Sequence, residues 1–430
     1  MRAQSIANTH ALTSNFEAQT YTKVTWRLIP CLFMCYVLAY LDRVNIGFAK
    51  LQMLSELKFN DTIYGLGAGI FFIGYFVFET PSNVILSKVG ARAWIARIMV
   101  TWGIISACMM FVHSVKMFYV LRFLLGVAEA GFFPGIILYL TYWYPAPRRA
   151  QIVALFMSAV ALAGVIGGPL SGGIMKFLDG QHGLSGWQWL FLIEGIPSVV
   201  AGIFIYHYLD DSIHEAQWLT PEEKLLLERN LLHEETIKED IPLKILLTQR
   251  KIWVLSIVYF ALTMGLYGVG FWLPQLIKNM GVHDILNVGL LTSIPYGTAA
   301  ITMIMIARRS DKTGERRKPM AGVAIIGGIG LIVSALFSEN VVVAMCALTC
   351  ATACILSTFP LFWTLPTAYL RGMSAAVGIA MINSLGNLAG FVSPYMMGLI
   401  QEFTHSISAG IYMLAASLFM GAVIVFFCEI

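Results

Sequence analysis

Charge is what this chain has least of. Only 12% of its 430 residues are Asp, Glu, Lys or Arg, against 58% apolar. A water-soluble protein could not hide that much apolar surface behind so thin a polar shell, so a polytopic membrane protein is implied. A disulfide framework is also missing, because the seven Cys show no paired pattern. Cys346, Cys350 and Cys354 recur at i, i+4, i+8 and share one helix face, but no His lies near them. Close helix packing by small residues is therefore expected there, and no metal site. The sequence holds no metal-ligand cluster, nucleophile elbow or phosphate-cradling glycine loop, so neither an enzyme nor a cofactor is expected. It also lacks the basic-aromatic stripe that holds nucleic acid, and no DNA or RNA partner is implied. The sequon Asn60-Asp61-Thr62 is read as chance.

What is present is a series of long apolar runs. Windows of about 20 residues give twelve candidate spans: 27–48, 62–86, 94–112, 117–143, 150–174, 187–209, 252–277, 287–307, 319–338, 341–369, 374–400 and 407–428. The first run is too long for a signal-peptide core and lacks a small-residue cleavage site, so the N-terminus is expected to be retained. Placing alternate connections on one side puts 21 of the 28 Lys and Arg there and five on the other, with Arg43 and Arg122 inside the membrane. That asymmetry predicts cytoplasmic termini. The fold class expected is an all-α integral membrane protein with twelve transmembrane helices in two pseudo-symmetric six-helix bundles.

A polar segment, 210–250, divides the spans six and six. The predicted organisation is a cytoplasmic N-terminal segment 1–26, a six-helix bundle 27–209, a cytoplasmic linker 210–250 and a second six-helix bundle 251–430. Thr220-Pro221-Glu222-Glu223 in the linker is a capping box with Pro at the first helical position, predicting a surface helix through Leu232. The halves read as copies. Ser87-Lys88-Val89-Gly90-Ala91-Arg92 recurs as Asp311-Lys312-Thr313-Gly314-Glu315-Arg316, an offset of 224, and Pro169 with Gly173 recurs as Pro394 with Gly398, an offset of 225. A duplicated six-span unit rocking about a midplane site is a transporter layout.

Four charges stand inside apolar spans: Asp42 and Arg43 in the first, Arg122 and Glu129 in the fourth. Each costs about 2.5–3.5 kcal/mol near the bilayer centre on insertion scales. From the helical rise, Arg43 and Arg122 each lie about 10 Å below one surface and Glu129 about 10 Å deeper on the same face as Arg122. With both carboxylates ionised the quartet is neutral, and each bound proton adds one positive charge that an anion can use. Burial favours the neutral carboxyl and a neighbouring guanidinium the charged one, so Glu129, farther from the Arg side chains, is the expected proton carrier. Asp42 is expected to stay ionised beside Arg122. An Arg fork suits a carboxylate. The competing reading is a structural ion-pair cluster joining spans one and four.

The loop from Asp311 to Lys318 resembles the signature cytoplasmic loop of the major facilitator superfamily, with Ser87 in the first-half copy where an acid belongs. Tyr40-Leu41-Asp42-Arg43-Val44-Asn45 and Leu121-Arg122-Phe123-Leu124-Leu125-Gly126-Val127-Ala128-Glu129 resemble the anion:cation symporter family. Pro81-Ser82-Asn83, Gly186-Trp187-Gln188-Trp189-Leu190-Phe191 and Trp218-Leu219-Thr220 bring it nearest the bacterial tartrate-type, phthalate-type and hydroxyphenylacetate-type permeases.

The resemblance implies Arg43 for substrate, Glu129 with Asp42 for proton coupling, and Tyr40, Tyr75 and Asn383 as substrate contacts. Arg122 and Asn387, the latter on the face of Asn383, join this list. Asp311, Lys312, Gly314, Arg316, Lys88, Gly90 and Arg92 are the expected gating-loop residues. Glu79 and Glu194 are further candidates without a local basic partner. Phe271-Trp272 and Phe362-Trp363 are expected to face lipid, with a cavity wall as the alternative; Trp143, Trp187 and Trp189 are expected at the membrane interfaces.

The implied activity is proton-coupled import of a small organic carboxylate across a bacterial inner membrane by a monomer. Tartrate-like acids come first, then aromatic acids, then sugar acids, and sodium stays open as the coupling cation. The rival is proton-driven efflux, because Gly164, Gly168-Pro169 and Gly172-Gly173 resemble an antiporter motif. At that spacing glycines mainly let helices approach.

Overall fold

A computed structural model describes residues 2–235, 249–369 and 372–427, and no strand occurs among them. The first half contains α1 (Arg2–Val44), α2 (Ile46–Leu57), α3 (Asp61–Val89), α4 (Ala91–Cys108), α5 (Val115–Glu129), α6 (Phe132–Thr141), α7 (Ala146–Met157), α8 (Ala159–Phe177) and α9 (Gly186–Tyr208). After α10 (Pro221–Glu235) come α11 (Arg250–Asn279), α12 (Ile285–Thr313), α13 (Arg317–Leu336), α14 (Val341–Tyr369), α15 (Gly372–Asn387), α16 (Ala389–Thr404) and α17 (Ile407–Phe427).

Eleven of the expected spans are long and apolar enough to cross a membrane, and the remaining one, 374–400, is built from α15 and α16 meeting at Leu388. The first span is longer than its apolar run, starting at Asn15. Its polar extension is tied down on the way: Glu17 accepts from Arg148 at 3.0 Å, Lys23 pairs with Glu223 at 2.7 Å, and Tyr21 stacks on Tyr144. Thr220 and Glu223 form the predicted capping box, the Thr220 amide donating to the Glu223 carboxylate at 2.8 Å and the Glu223 amide to Thr220 Oγ1 at 3.3 Å. The stretch 236–248 of the expected linker lies outside the described residues.

Where the halves meet, α8 packs on α12 and α3 on α16. Glycine makes this approach possible. A Cβ on Gly168 would strike the Gly289 carbonyl, and one on Gly65 the Pro394 carbonyl. Gly164 faces the Tyr296 ring and Gly172 the Ile285 carbonyl, whereas Gly173 has nothing within 4 Å. Span-five glycines thus serve helix approach.

Polar contacts between the halves gather at the end opposite the Arg- and Lys-rich loops. Tyr64 donates to the Phe271 carbonyl at 2.8 Å, Lys278 to the Leu51 carbonyl at 3.1 Å, Asn60 to Glu402 at 3.3 Å, and Lys176 pairs with Asp284. Lys50 is buried there, 2.7 Å from Asp61 and 3.3 Å from the centre of the Trp272 ring. Asn60 also caps α3 by accepting from the Ile63 amide at 2.8 Å.

This packing corrects several expectations. Phe271, Trp272 and Phe362 are fully buried rather than lipid-facing, because the first two form the seam between halves and Phe362 stacks on Tyr259. Trp143 and Trp187 are buried too: Trp143 stacks on Trp218, and Trp187 donates to Glu56 at 2.7 Å. Cys346 and Cys350 are exposed, so that face is turned away from helix packing.

Candidate functional site

Three helix breaks place the site. α1 ends at Val44 and α2 restarts at Ile46, so Arg43 lies in the last turn of α1. α5 ends on Glu129, and Gly131 follows with φ +86°, a conformation that suits glycine. Its close neighbour is Ser82, which a Cβ would strike. α15 ends on Asn387. Broken helices at membrane depth are tolerated where they line a cavity or are enclosed by protein.

At the junction Arg43 forms a buried ion pair with Glu129, the two being 8% and 1% exposed. The guanidinium lies against the neighbouring Phe71 and Tyr75 rings, 5.4 and 5.5 Å from their centres. Arg43 Nη1 donates to Tyr267 Oη at 3.4 Å, and Tyr267 Oη donates to Asn387 Oδ1 at 3.5 Å. Arg43, Tyr75, Glu129 and Asn387 are thus brought together from both halves. Arg43 Nε has no hydrogen-bond partner among the described residues, and neither has the buried Tyr40 hydroxyl. The hydroxyls of Tyr40 and Tyr296 converge on Gly270.

Two expectations from the sequence fail. Glu129 is the carboxylate nearest a guanidinium, because the last turn of α5 faces the last turn of α1. Asp42 is not beside Arg122: it points into the first half and accepts from Trp102 Nε1 at 3.0 Å, Ser106 Oγ at 2.8 Å and Ser198 Oγ at 2.6 Å. Arg122 instead donates to the Gly67 and Ala68 carbonyls at 3.1 and 3.3 Å, which clamps α5 to α3. Successive residues of a helix point about 100° apart. Asp42 and Arg43 therefore cannot share a partner.

Asn383 is set beside Glu79, one turn from the Arg43 network, and Glu79 accepts from Ser384 at 3.3 Å. Sequence reasoning passed over Tyr267, although it stands 224 residues from Arg43, the offset of the repeat. That periodicity was the available signal.

In the two loops expected to gate, Gly314 has φ +68° and ends α12, while Arg316 donates to Ser310 Oγ at 3.0 Å. Lys312 and Lys88 are exposed, and the Asp311 side chain lies outside the described ones. Gly90, with φ +99°, sits against the Asp211 carboxylate, which accepts from the Arg92 amide at 2.7 Å and lies 3.6 Å from Arg92 Nε. Asp211 therefore supplies in space the acid that Ser87 lacks in sequence.

Two helical repeats that meet at a buried charged centre define a secondary transporter. The chain belongs to the major facilitator superfamily: residues 32–394 match the family of that description. It is 46% identical over 415 residues to a protein of Agrobacterium vitis named as a tartrate transporter, covering 96% of this chain and 92% of that one. It is 46% identical over 425 residues to the metabolite transport protein NicT of Pseudomonas putida, covering 98% and 97%. A quinolone resistance transporter of Acinetobacter baumannii is 40% identical over 416 residues, covering 96% and 95%. A crystal structure of a D-xylose-proton symporter superposes with a TM-score of 0.75, with 15% identity, covering 94% of this chain and 97% of that one.

Proposed function

We propose that this chain imports a small organic carboxylate together with protons, with Arg43 as the substrate's anchor and Glu129 as the switch that exposes it. The observation carrying this reading is the buried Arg43–Glu129 pair at the meeting of the halves. While Glu129 is ionised it occupies the guanidinium. A proton on Glu129 releases Arg43, whose planar fork then takes a carboxylate by two parallel hydrogen bonds. The unpartnered Arg43 Nε and Tyr40 hydroxyl add donors for such an anion. Tyr75, Tyr267 and Asn387 complete the surround, and Arg122 acts by holding α5 in place.

With the Arg- and Lys-rich end in the cytoplasm of a bacterial inner membrane, the end where the polar contacts between halves gather faces outward. Tartrate-like dicarboxylates are the first substrate choice, supported by the name of the Agrobacterium relative. Aromatic acids follow and then sugar acids. The second reading is proton-driven efflux, favoured by the name of the Acinetobacter relative. Two buried guanidiniums argue against a cationic cargo.

Uptake of labelled tartrate, phthalate, hydroxyphenylacetate and galactonate into proteoliposomes, with and without an inward pH gradient, tests the proposal. Gradient-stimulated accumulation of one acid is expected. Expulsion of a cationic dye under the gradient, with no acid accumulated, would replace import by efflux.

A further inference from the structure

The first half encloses a second carboxylate pair that the Arg43–Glu129 switch does not use. Asp42 and Asn45 lie three residues apart at the end of α1, and Glu194 and Ser198 lie four apart on α9, so each pair shares a face. The faces meet: Ser198 Oγ donates to Asp42 at 2.6 Å, and the Asn45 amide faces the Glu194 carboxyl. The charged group facing Glu194 from α1 is Asp42. α8 presents Ser171, and on α4 the backbone of Gly103 and Ala107 packs against the adjoining Gly195. The acid of α2, Glu56, is taken by Ser185 and Trp187. Among the described residues no cation pairs with Asp42 or Glu194.

Their hydrogen bonds differ. Asp42 accepts three, which suits an ionised carboxylate. Glu194 accepts one, from Ser171 Oγ at 2.7 Å. Its Oε2 is buried and has no partner, and both ends of the Asn45 amide, 1% exposed, are also without one. One hydrogen pairs two of these three atoms. A proton on Oε2 is donated to the amide oxygen of Asn45, since an Asn can present either end to a neighbour.

We propose that Glu194 is a second proton-binding carboxyl of this carrier, hydrogen-bonded to Asn45 and set against Asp42 across the α1–α9 seam. This rests on the proton-coupled reading above. N–H and O–H donors, not carbonyl oxygens, surround Asp42, which favours a proton over a metal cation. Ser171 also lines a cavity of about 20 Å³ with Thr292 and Tyr296 of the second half, room for one water. Ser171, the hydrogen-bond donor to Glu194, is thus also in contact with the seam between halves.

Two measurements test it. In substrate-free protein, infrared difference spectroscopy on H2O to D2O exchange is expected to show a protonated-carboxyl band that Glu194→Gln removes and Glu129→Gln keeps. In proteoliposomes, the reversal potential for labelled tartrate is expected to show that Glu194→Gln lowers the proton-to-substrate ratio by a whole proton. A band that survives Glu194→Gln overturns the proposal, as does an unchanged ratio or a ratio that follows sodium. If Glu194→Gln fails to fold, Asn45→Ala serves, because the O–H then loses its acceptor and the band must shift; an unshifted band overturns the assignment. If the wild type shows no gradient-driven uptake but Glu194→Gln still removes the band, the proton site stands and the coupled-import reading falls.

Discussion

The first half buries Asp42, Arg43, Lys50, Glu79, Arg122, Glu129 and Glu194 within its spans, whereas the buried hydrophilic side chains of the second half, among the described residues, are Ser, Thr and Asn, with Tyr beside them. The repeat preserved backbone and changed charge. Arg43 and Tyr267 stand at the repeat offset and touch, a cation facing a phenol. One half thus carries the buried charge, and the other supplies neutral hydrogen bonds and shape.

The sharpest way to break this division is Arg43→Ala. It leaves Glu129 buried without its cation, a change worth about 3–5 kcal/mol in comparable pairs, and uptake is expected to fall by about 100-fold or more. Arg43→Lys keeps the charge but loses the fork, and an unchanged KM there would move the anchor elsewhere. Next comes Glu129→Gln, expected to abolish accumulation driven by a pH gradient while substrate exchange survives; full gradient-driven uptake would remove its coupling role.

In the second half, Tyr267→Phe is expected to raise KM by about fivefold, the worth of one hydrogen bond near 1 kcal/mol, without moving the pH profile. A loss as large as that of Arg43→Ala would erase the asymmetry between halves. The smallest effect is expected from Asp284→Asn. The Asp284 carboxyl is held below its usual range, chiefly by the hydrogen bond from Lys176. A lowered value keeps this link whole above the ordinary carboxylate value of about 3.9 and breaks it only in stronger acid. The uptake profile from about pH 5 to 8 should therefore be unmoved; a shift would place proton sensing at this link.

The spans and the linker's capping box were legible because hydropathy and local spacing encode them. The same holds for Arg43, Glu129 and the loop glycines, which stand out by chemistry. Which carboxylate met which guanidinium was not legible, since the 100° step between Asp42 and Arg43 sends them to different neighbours and only packing reveals those. Asp211 was hidden for another reason. It replaces the acid missing at Ser87 from a position more than a hundred residues away, where no local motif points. The burial of Trp272 escaped composition because its partner is a lysine, Lys50, that hydropathy reads as a water-facing flank.

That lysine has a consequence for the cycle. If the end where it lies parts, the Lys50 ammonium leaves the Trp272 indole face of the other half while its pair with Asp61, within its own half, stays whole, so the opening loses a cation–π contact worth about 2 kcal/mol when dry. Water that reaches that one buried nitrogen replaces the lost ring contact with hydration.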